Sequence, residues 1–265
     1  MALKNSSSNT NSSNGTTGFS LFALITSIYF IVRYYINDSR QQLILSFIYG
    51  ITILIMMYFI NLDITKNICG SAQVGTSILV TALPWGVVFG GLVGLLIIFP
   101  GWLSPFSNTF GYLAAKLSGV STLLDKILKP KFVNPKTATN DKIAAEALQQ
   151  IYDDKSLLVN QITLENFDSF WTRMTNANLF NKNAIDFKEQ LRNLVRLKNL
   201  VAYYVWFMLS GALITSMSYN YIVGVGCQKS AKQMQALHNK YENEQKALQD
   251  SQNGQASKRI YNITE

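Results

Sequence analysis

Charged residues and metal ligands are scarce in this 265-residue sequence, and the shortage argues against several classes of function. Only 14% of the residues are charged, and three of the four long apolar runs contain no charge at all. Because charges inside a membrane mark proton relays and ion paths, this pattern argues against a coupled transporter. The one histidine, His238, and two cysteines far apart in sequence do not make a zinc site.

Catalytic motifs are missing as well. Asp153 and Asp154 form a carboxylate pair without a partner histidine, which is typical of a solvated helix end. Gly90 and Gly91 lie inside an apolar run and do not follow a strand, so they do not form a phosphate-binding loop. We therefore expect a protein that is not an enzyme and that uses no cofactor.

Apolar residues are abundant, at 48% of the total, and they are gathered into four runs. The runs cover residues 19–36, 43–60, 78–99 and 200–225, each about the length that crosses a bilayer. The link at residues 37–40 is so short that the first two runs must be antiparallel. The predicted fold is an all-α membrane protein, a four-helix transmembrane bundle with an extramembrane helical region.

The chain divides into five parts on this basis. The expected parts are a disordered Ser/Thr/Asn-rich arm (1–18), the first three transmembrane helices (19–100), an interfacial segment and helical extramembrane region (101–199), the fourth transmembrane helix (200–226) and a polar helical tail (227–265). The arm is too polar to bury a core. It contains three Asn-x-Ser/Thr patterns that glycosylation could use, at Asn5, Asn11 and Asn14.

Helical periodicity continues outside the four spans. An amphipathic pattern covers residues 113–127, with an apolar face of Leu113, Leu117, Val120, Leu124 and Ile127. Further helices are predicted at 141–152, at 164–174 and after Asn183, which looks like a capping residue. The tail carries a short heptad-like stripe, typical either of a helix that meets a partner or of a solvated one: Met234, Leu237, Tyr241 and Leu248.

The third span contains four small residues at four-residue spacing, namely Ala82, Gly86, Gly90 and Gly94. They fall on one face of a helix, and such a face lets another helix approach closely in lipid. We predict a helix–helix contact there, within the chain or in a homo-oligomer. Pro84 lacks a backbone donor and is expected to kink the same helix. A glycine-rich buried helix of a soluble protein is the alternative, and the other three runs argue against it.

Positive charge is concentrated near one side of the predicted bundle. The chain carries a net charge of +8, and beside membrane spans such an excess indicates topology and anionic lipid, not nucleic acid. Six basic residues fall on the side of residues 37–42 and 100–199: Arg33, Arg40, Lys116, Arg192, Arg196 and Lys198. The positive-inside rule therefore places residues 101–199 on the cytosolic face.

Cys69 and Cys227 are both predicted to lie on the opposite face. They could form a disulfide there, or remain two unrelated free thiols, because a sequence does not show the Cα separation that a bridge requires.

The segment after the third span combines two prolines with several aromatic residues. Pro100 and Pro105 stiffen it, and Ser107, Asn108 and Thr109 are expected to face water. The candidate interfacial or partner-docking residues are Trp102, Phe106, Phe110 and Tyr112. The alternative is an ordinary interfacial turn.

The run Pro-Gly-Trp-Leu-Ser-Pro-Phe-Ser-Asn-Thr-Phe-Gly-Tyr at residues 100–112 resembles a segment of membrane-anchored minor structural (capsid-associated) proteins of large icosahedral double-stranded DNA viruses with an inner membrane. Elsewhere the resemblance covers only the layout of spans followed by a basic helical region. It implies a minor capsid protein that ties the capsid shell to the virion inner membrane, and it brings no catalytic residues.

Two functions are consistent with these features. One is a structural multi-pass membrane protein that anchors a protein shell, with aromatics such as Trp171 as the docking surface. The alternative is a channel or small-solute transport subunit formed by oligomerised helices. A pore needs polar groups at several depths, and the third and fourth spans offer few of them: Ser77, Thr81, Ser210, Thr215, Ser216 and Ser218. We therefore expect the partners to be membrane lipid and a protein shell or other membrane subunits.

Overall fold

The computed structural model describes residues 8–129, 146, 149–225, 227 and 231–256. Within these residues the protein is helical and has no strand, apart from an isolated bridge between Leu128 and Phe180. Four of the described helices are long and apolar enough to cross a membrane. The chain is therefore an all-α membrane bundle with a helical extramembrane region, which confirms the predicted fold class.

The first two spans form an antiparallel pair, α1 (Ser8–Tyr35) and α2 (Ser39–Cys69). Asp38 caps α2, since its carboxylate accepts a hydrogen bond from the Gln41 amide at 3.1 Å. The predicted disorder is wrong for residues 8–18, which are helical. Once the apolar span has formed the helix, adding further turns requires no new nucleation.

Two of the three candidate glycosylation sites lie on a described helix. Asn11 and Asn14 lie in the polar first part of α1, whereas Asn5 falls outside the described residues.

Helix α2 continues nine residues beyond the second apolar run, over residues 61–69, where the polar side chains had predicted a loop. Two polar pairs explain the longer helix, because their side chains form hydrogen bonds between α2 and the next helix. The Asn61 amide donates to the Thr81 hydroxyl at 3.0 Å, and the Thr65 and Ser77 hydroxyls lie 3.2 Å apart. Interhelical hydrogen bonds of this kind allow polar residues inside a membrane bundle.

The third span, α3 (Val74–Ile98), is continuous through Pro84. Its middle section, Ala82–Phe89, is a π-helix. Proline leaves the carbonyl four residues earlier without its usual donor, and the wider i→i+5 pattern lets the following amide take that place. The sequence predicted a kink at Pro84, and the structure has a local change of helix type there.

Shorter helices build the extramembrane region. The chain leaves α3 through a 3₁₀ turn (Pro100–Leu103), one helical turn (Ser104–Phe106) and a π-helix (Ser107–Gly111). It then forms α4 (Tyr112–Leu117), α5 (Val120–Ile127), α6 (Lys155–Gln161), α7 (Phe167–Asn176), a 3₁₀ turn (Ala184–Phe187), α8 (Lys188–Val225) and the tail helix α9 (Ala231–Ala256).

Several predicted helices in this region change in detail. Gly119 has φ = +91° and divides the predicted helix at 113–127 into α4 and α5. Asn183 precedes the 3₁₀ turn and makes no side-chain cap. Most of the helix predicted at 141–152 lies outside the described residues, although 149–153 are helical. On α9, Tyr241 and Leu248 are exposed, and the side chains of Met234 and Leu237 are not described.

Aromatic rings form the centre of the membrane bundle. Phe207 of α8 lies within 6.3 Å, centroid to centroid, of rings from all three other spans: Tyr29, Phe30, Tyr49 and Phe89. Phe22 of α1 is fully buried beside Trp85, at 5.2 Å. A Cβ atom built on Gly211 would overlap the Phe22 ring, so only glycine lets α1 and α8 approach this closely.

A second core lies outside the membrane. We call this region, formed by α4 to α7 and the first three turns of α8, the platform. Its fully buried residues include Leu124, Ile127, Phe167 and Leu191. Trp171 belongs to this core, since it is 7% exposed and its ring lies 4.6 Å from that of Phe180. The expectation that Trp171 offers a docking surface is therefore wrong: a large ring on the apolar face of a short amphipathic helix is used for packing.

The Phe22–Gly211 contact generates a direct test. Gly211→Ala should lower the free energy of unfolding by about 1–3 kcal/mol, the usual result of overfilling a packed core. Gly224→Ala is the matched control, since it lies on the same helix and its added Cβ meets nothing within 4 Å. Thermal unfolding in detergent measures both. Equal midpoints for the two variants would contradict the close approach of α1 and α8.

Candidate functional site

The exit segment, residues 100–112, joins the membrane bundle to the platform and lies against α8. Leu103 is buried with Leu96 and Ala202. The Phe106 ring meets Trp206 edge to face, with centroids 5.5 Å apart. The segment is therefore packed along its length on the helix that enters the membrane beside it.

The four predicted docking residues divide into two pairs. Trp102 and Phe110 are 53% and 51% exposed and can meet lipid or a partner. Phe106 and Tyr112 are half-buried in the chain's own clusters, Phe106 beside Trp206 and Tyr112 against the platform core. Their rings join the exit segment to α8 and the platform, so they have a packing role, and a contact of these two rings with a partner stays a prediction.

The polar triplet of the exit segment is also partly engaged. Thr109 donates its hydroxyl to the Pro105 carbonyl at 2.6 Å, while Ser107 and Asn108 are half-buried. The expectation that all three face water holds only for Thr109.

The apolar surface of the exit segment continues onto α4. Leu113 and Leu117 are exposed, Leu117 to 81%, and they follow Phe110 at helical spacing. We call Trp102, Phe110, Leu113 and Leu117 the apolar row. The sequence pattern had assigned both leucines to the buried face of one long helix. The break at Gly119 rotates α5 relative to α4, so that Val120, Leu124 and Ile127 turn inward and the leucines stay outside.

Gly111 holds the exit segment against α8 at Lys198. A Cβ atom at Gly111 would collide with the Lys198 backbone carbonyl. Lys198 itself is only 2% exposed, and its ammonium group donates to the Val159 carbonyl at 2.7 Å. No local pattern predicted this contact, because Gly111 lies in a turn-like run and Lys198 was counted only among the charges that set the topology.

Burial changes the ionisation of Lys198, which precedes the apolar part of α8. The charged ammonium is poorly solvated there, so burial lowers the pKa of Lys198 from 10.5 to about 8. At neutral pH the lysine is still charged, and its burial opposes folding.

Arg196 binds the turn between the first two spans. Its guanidinium donates to the side chain of Asn37 and to the Ile36 carbonyl, and it reaches the Arg33 carbonyl at 3.4 Å. These carbonyls lie at the C-terminal end of α1, where a helix favours a cation. Arg196 therefore connects the α1–α2 turn to α8.

Arg192 is also paired. It contacts Asp168 at 2.6 Å, and Lys188 contacts the same carboxylate at 3.0 Å. The hydrogen bond from Lys188, followed by the nearby positive charge of Arg192, lowers the pKa of Asp168. Because Asp168 is exposed, this pair adds little to stability. Arg192, Arg196 and Lys198 thus have structural partners as well as a place in the charge asymmetry.

The small-residue stripe of α3 faces outward. Ala82, Gly86 and Gly90 are exposed, and a Cβ atom at Gly86, Gly90 or Gly94 would meet nothing within 4 Å. No described helix of the chain packs on these three glycines, so a helix–helix contact through them would require a second copy of the chain. The glycines that do permit close packing are Gly111 and Gly211, which belong to no regular spacing.

Cys69 and Cys227 are joined in a disulfide, with Cα atoms 5.3 Å apart. That separation is ordinary for a disulfide. The bond ties the end of α2 to the residue that follows the fourth span by two positions. Of the alternatives left open by the sequence, the structure has the bridged one.

Metal ligands are not brought together in the part of the chain that the structure describes, where no group of three His, Cys, Asp or Glu side chains could hold an ion. His238 lies on α9, 3.6 Å from Glu242.

The buried lysine generates a pH prediction. The pKa of Lys198 is 10.5 in the unfolded chain and about 8 in the folded chain. Between these two values the unfolded chain binds more protons than the folded chain. The free energy of unfolding therefore rises with pH across that window, by at most about 3 kcal/mol. Lys198→Met should remove this rise, whereas Lys116→Met, at an exposed site, should keep it. Thermal-unfolding midpoints of the wild type and both variants, measured from pH 7 to 10.5, test this prediction. Parallel profiles for wild type and Lys198→Met would contradict the buried ammonium.

Comparison with known proteins gave no match to any family model, curated protein or solved structure. The resemblance of residues 100–112 to viral membrane proteins therefore stays a prediction. What can be said of function rests on the residues themselves: an exposed apolar row, on a platform that is firmly packed against the helix leading into the membrane.

Proposed function

We propose that the protein is a structural multi-pass membrane protein that anchors a protein shell, such as a viral capsid, to a membrane. The observation that carries this proposal is α8, a single helix of 38 residues. It is about 57 Å long, roughly twice the hydrocarbon thickness of a bilayer. Its first part is buried in the platform at Leu191 and Val195, and its later part in the bundle at Phe207 and Ile214.

The junction between platform and bundle contains further fixed contacts. Gly111 against Lys198 joins the exit segment to α8, and Arg196 joins the α1–α2 turn to the same helix. A platform held in this way stays at a constant height and angle above the membrane. A shell-anchoring protein requires that property, whereas a flexible tether would not provide it.

The apolar row is the surface proposed to meet the shell. Its four side chains are exposed on the exit segment and α4, beside the membrane. Exposed apolar residues that are grouped in one region of the surface are typical of protein or membrane contacts. We propose that Trp102 and Phe110 lie at the headgroup level and that Leu113 and Leu117, farther out along α4, meet the protein shell.

Two independent features support a cytosolic platform. Six basic residues near the spans lie on the platform side, against Lys66 at the far end of α2, and the positive-inside rule places the richer side in the cytosol. The disulfide lies at the opposite ends of the spans, and disulfides persist in oxidising compartments. A virion inner membrane would fit this orientation, with its shell on the platform side.

The channel or transport alternative receives less support. Several polar side chains inside the described bundle bond to one another across helix contacts, as in the Thr26–Tyr49 pair at 2.9 Å and the Asn61–Thr81 pair at 3.0 Å. Groups paired in this way hold helices together. A pore would need them to face a continuous lumen.

Orientation can be tested by labelling single cysteines in sealed vesicles. The described chain has no free cysteine, so the native disulfide can stay. Ser118→Cys on the platform and Asn67→Cys near the end of α2 are both at exposed positions. We expect an impermeant maleimide on the cytosolic side to label only Ser118→Cys. The reverse pattern would overturn the proposed topology.

Anchoring can be tested with the double variant Leu113→Ser/Leu117→Ser. Both side chains are exposed, so the free energy of unfolding should change by only about 0.5 kcal/mol. Membrane fractionation should stay normal. The variant should lose most of the shell protein that co-purifies with the wild type in stoichiometric amount. Ile185→Ser is the matched control, an exposed apolar residue of the platform outside the row. Full recovery of the shell protein with the double variant would refute docking through the row.

A further inference from the structure

A cleft of about 350 Å³ lies between α2 and α3, and α1 and α8 close its inner side. This volume is within the range of small-molecule sites, about 300–1,000 Å³. Aromatic rings of the bundle core form its floor, among them Tyr49, Trp85 and Phe89. The cleft lies at the platform end of the bundle, since it extends from Trp85 to Ile97 along α3.

Three glycines create the space. Gly50 of α2 and Gly86 and Gly90 of α3 all line the cleft, and a Cβ atom on any of them would meet nothing within 4 Å. At the rim, Leu54 and Ile97 are exposed on the outside of the bundle. The cleft therefore opens sideways, toward the hydrocarbon that surrounds the spans, and its walls are suited to an acyl chain.

A cation lies at the platform end of the cleft. The Arg33 guanidinium donates to the Tyr29 hydroxyl at 2.9 Å, and its central carbon lies 5.5 Å from the Tyr203 ring centroid. The Tyr29 hydroxyl is also 2.9 Å from the Ser46 hydroxyl, so three polar groups converge there. None of the described carboxylates forms an ion pair with Arg33, in contrast to Arg192, which is paired with Asp168.

We propose that this cleft binds one anionic phospholipid. The phosphate is held by Arg33 and Ser46, and one acyl chain lies along Gly86 and Gly90. Charge complementarity determines the headgroup, because a half-buried arginine forms its strongest hydrogen bonds with phosphate or carboxylate. The sideways opening determines the source, because a bilayer lipid reaches the cleft without crossing water. The proposal does not depend on the shell-anchoring function.

The acyl part of the site is tested with Gly90→Leu. Full-length protein in detergent is incubated with dioleoylphosphatidylglycerol and examined by native mass spectrometry, where the wild type should retain one lipid per chain. Gly90→Leu fills the cleft and should lose that lipid. Gly91→Leu should retain it, since Gly91 is an exposed neighbour outside the cleft with nothing within 4 Å of its added Cβ.

The headgroup part is tested with Arg33→Gln. The preference for phosphatidylglycerol over phosphatidylcholine should fall about tenfold, the effect expected for one charge-assisted hydrogen bond. Arg33→Lys should restore most of it, and Arg40→Gln, at an exposed arginine near the start of α2, should leave it unchanged.

Three results would overturn the proposal. One is equal lipid retention by wild type and Gly90→Leu. Another is release of the lipid by millimolar inorganic phosphate, which would make the site one for the free anion. The third is a wild-type dimer that Gly90→Leu converts to a monomer without changing the lipid count, since a second copy would then occupy the cleft.

Discussion

The rest of the structure depends on the unbroken course of α8 through two environments. One face of this helix must pack against the platform core near Leu191 and, between four and five turns later, against membrane helices near Phe207. At the boundary it carries Arg196 and Lys198, whose charges would be costly deeper in the membrane. Both find backbone carbonyls as partners, from the α1–α2 turn and from α6. The platform and the bundle are positioned by the same helix, and the exit segment follows its surface.

Much of this architecture could be predicted from the sequence, because span number depends on properties of single segments. The length of each apolar run and its low charge indicated four membrane helices without any knowledge of their neighbours. The ends of the helices were harder to predict. Residues 61–69 are polar and suggested a loop, yet Asn61 and Thr65 are satisfied by α3, a contact that no local pattern contains.

The glycines show most clearly that helix packing could not be predicted from the sequence. Gly86, Gly90 and Gly94 have the regular spacing of a packing stripe, but whether a helix lies opposite depends on how α2 and α3 diverge. Gly111 and Gly211 have no regular spacing, yet among the described glycines they permit the closest approaches. Among the docking candidates, Trp102 and Phe110 are exposed, whereas Phe106 is half-buried against Trp206 and Trp171 is buried in the platform core. The difference is in tertiary contacts, which residue type alone does not reveal.

The covalent bond between Cys69 and Cys227 has a mechanical consequence for a protein with this layout. Force applied to the platform passes along α8 toward its far end. There the bond transfers part of the load to α2, and the polar pairs at Thr65 and Asn61 pass it on to α3. A pull on the platform therefore acts on three spans in parallel. Extracting α8 alone would require breaking a covalent bond, so the bundle resists as one unit.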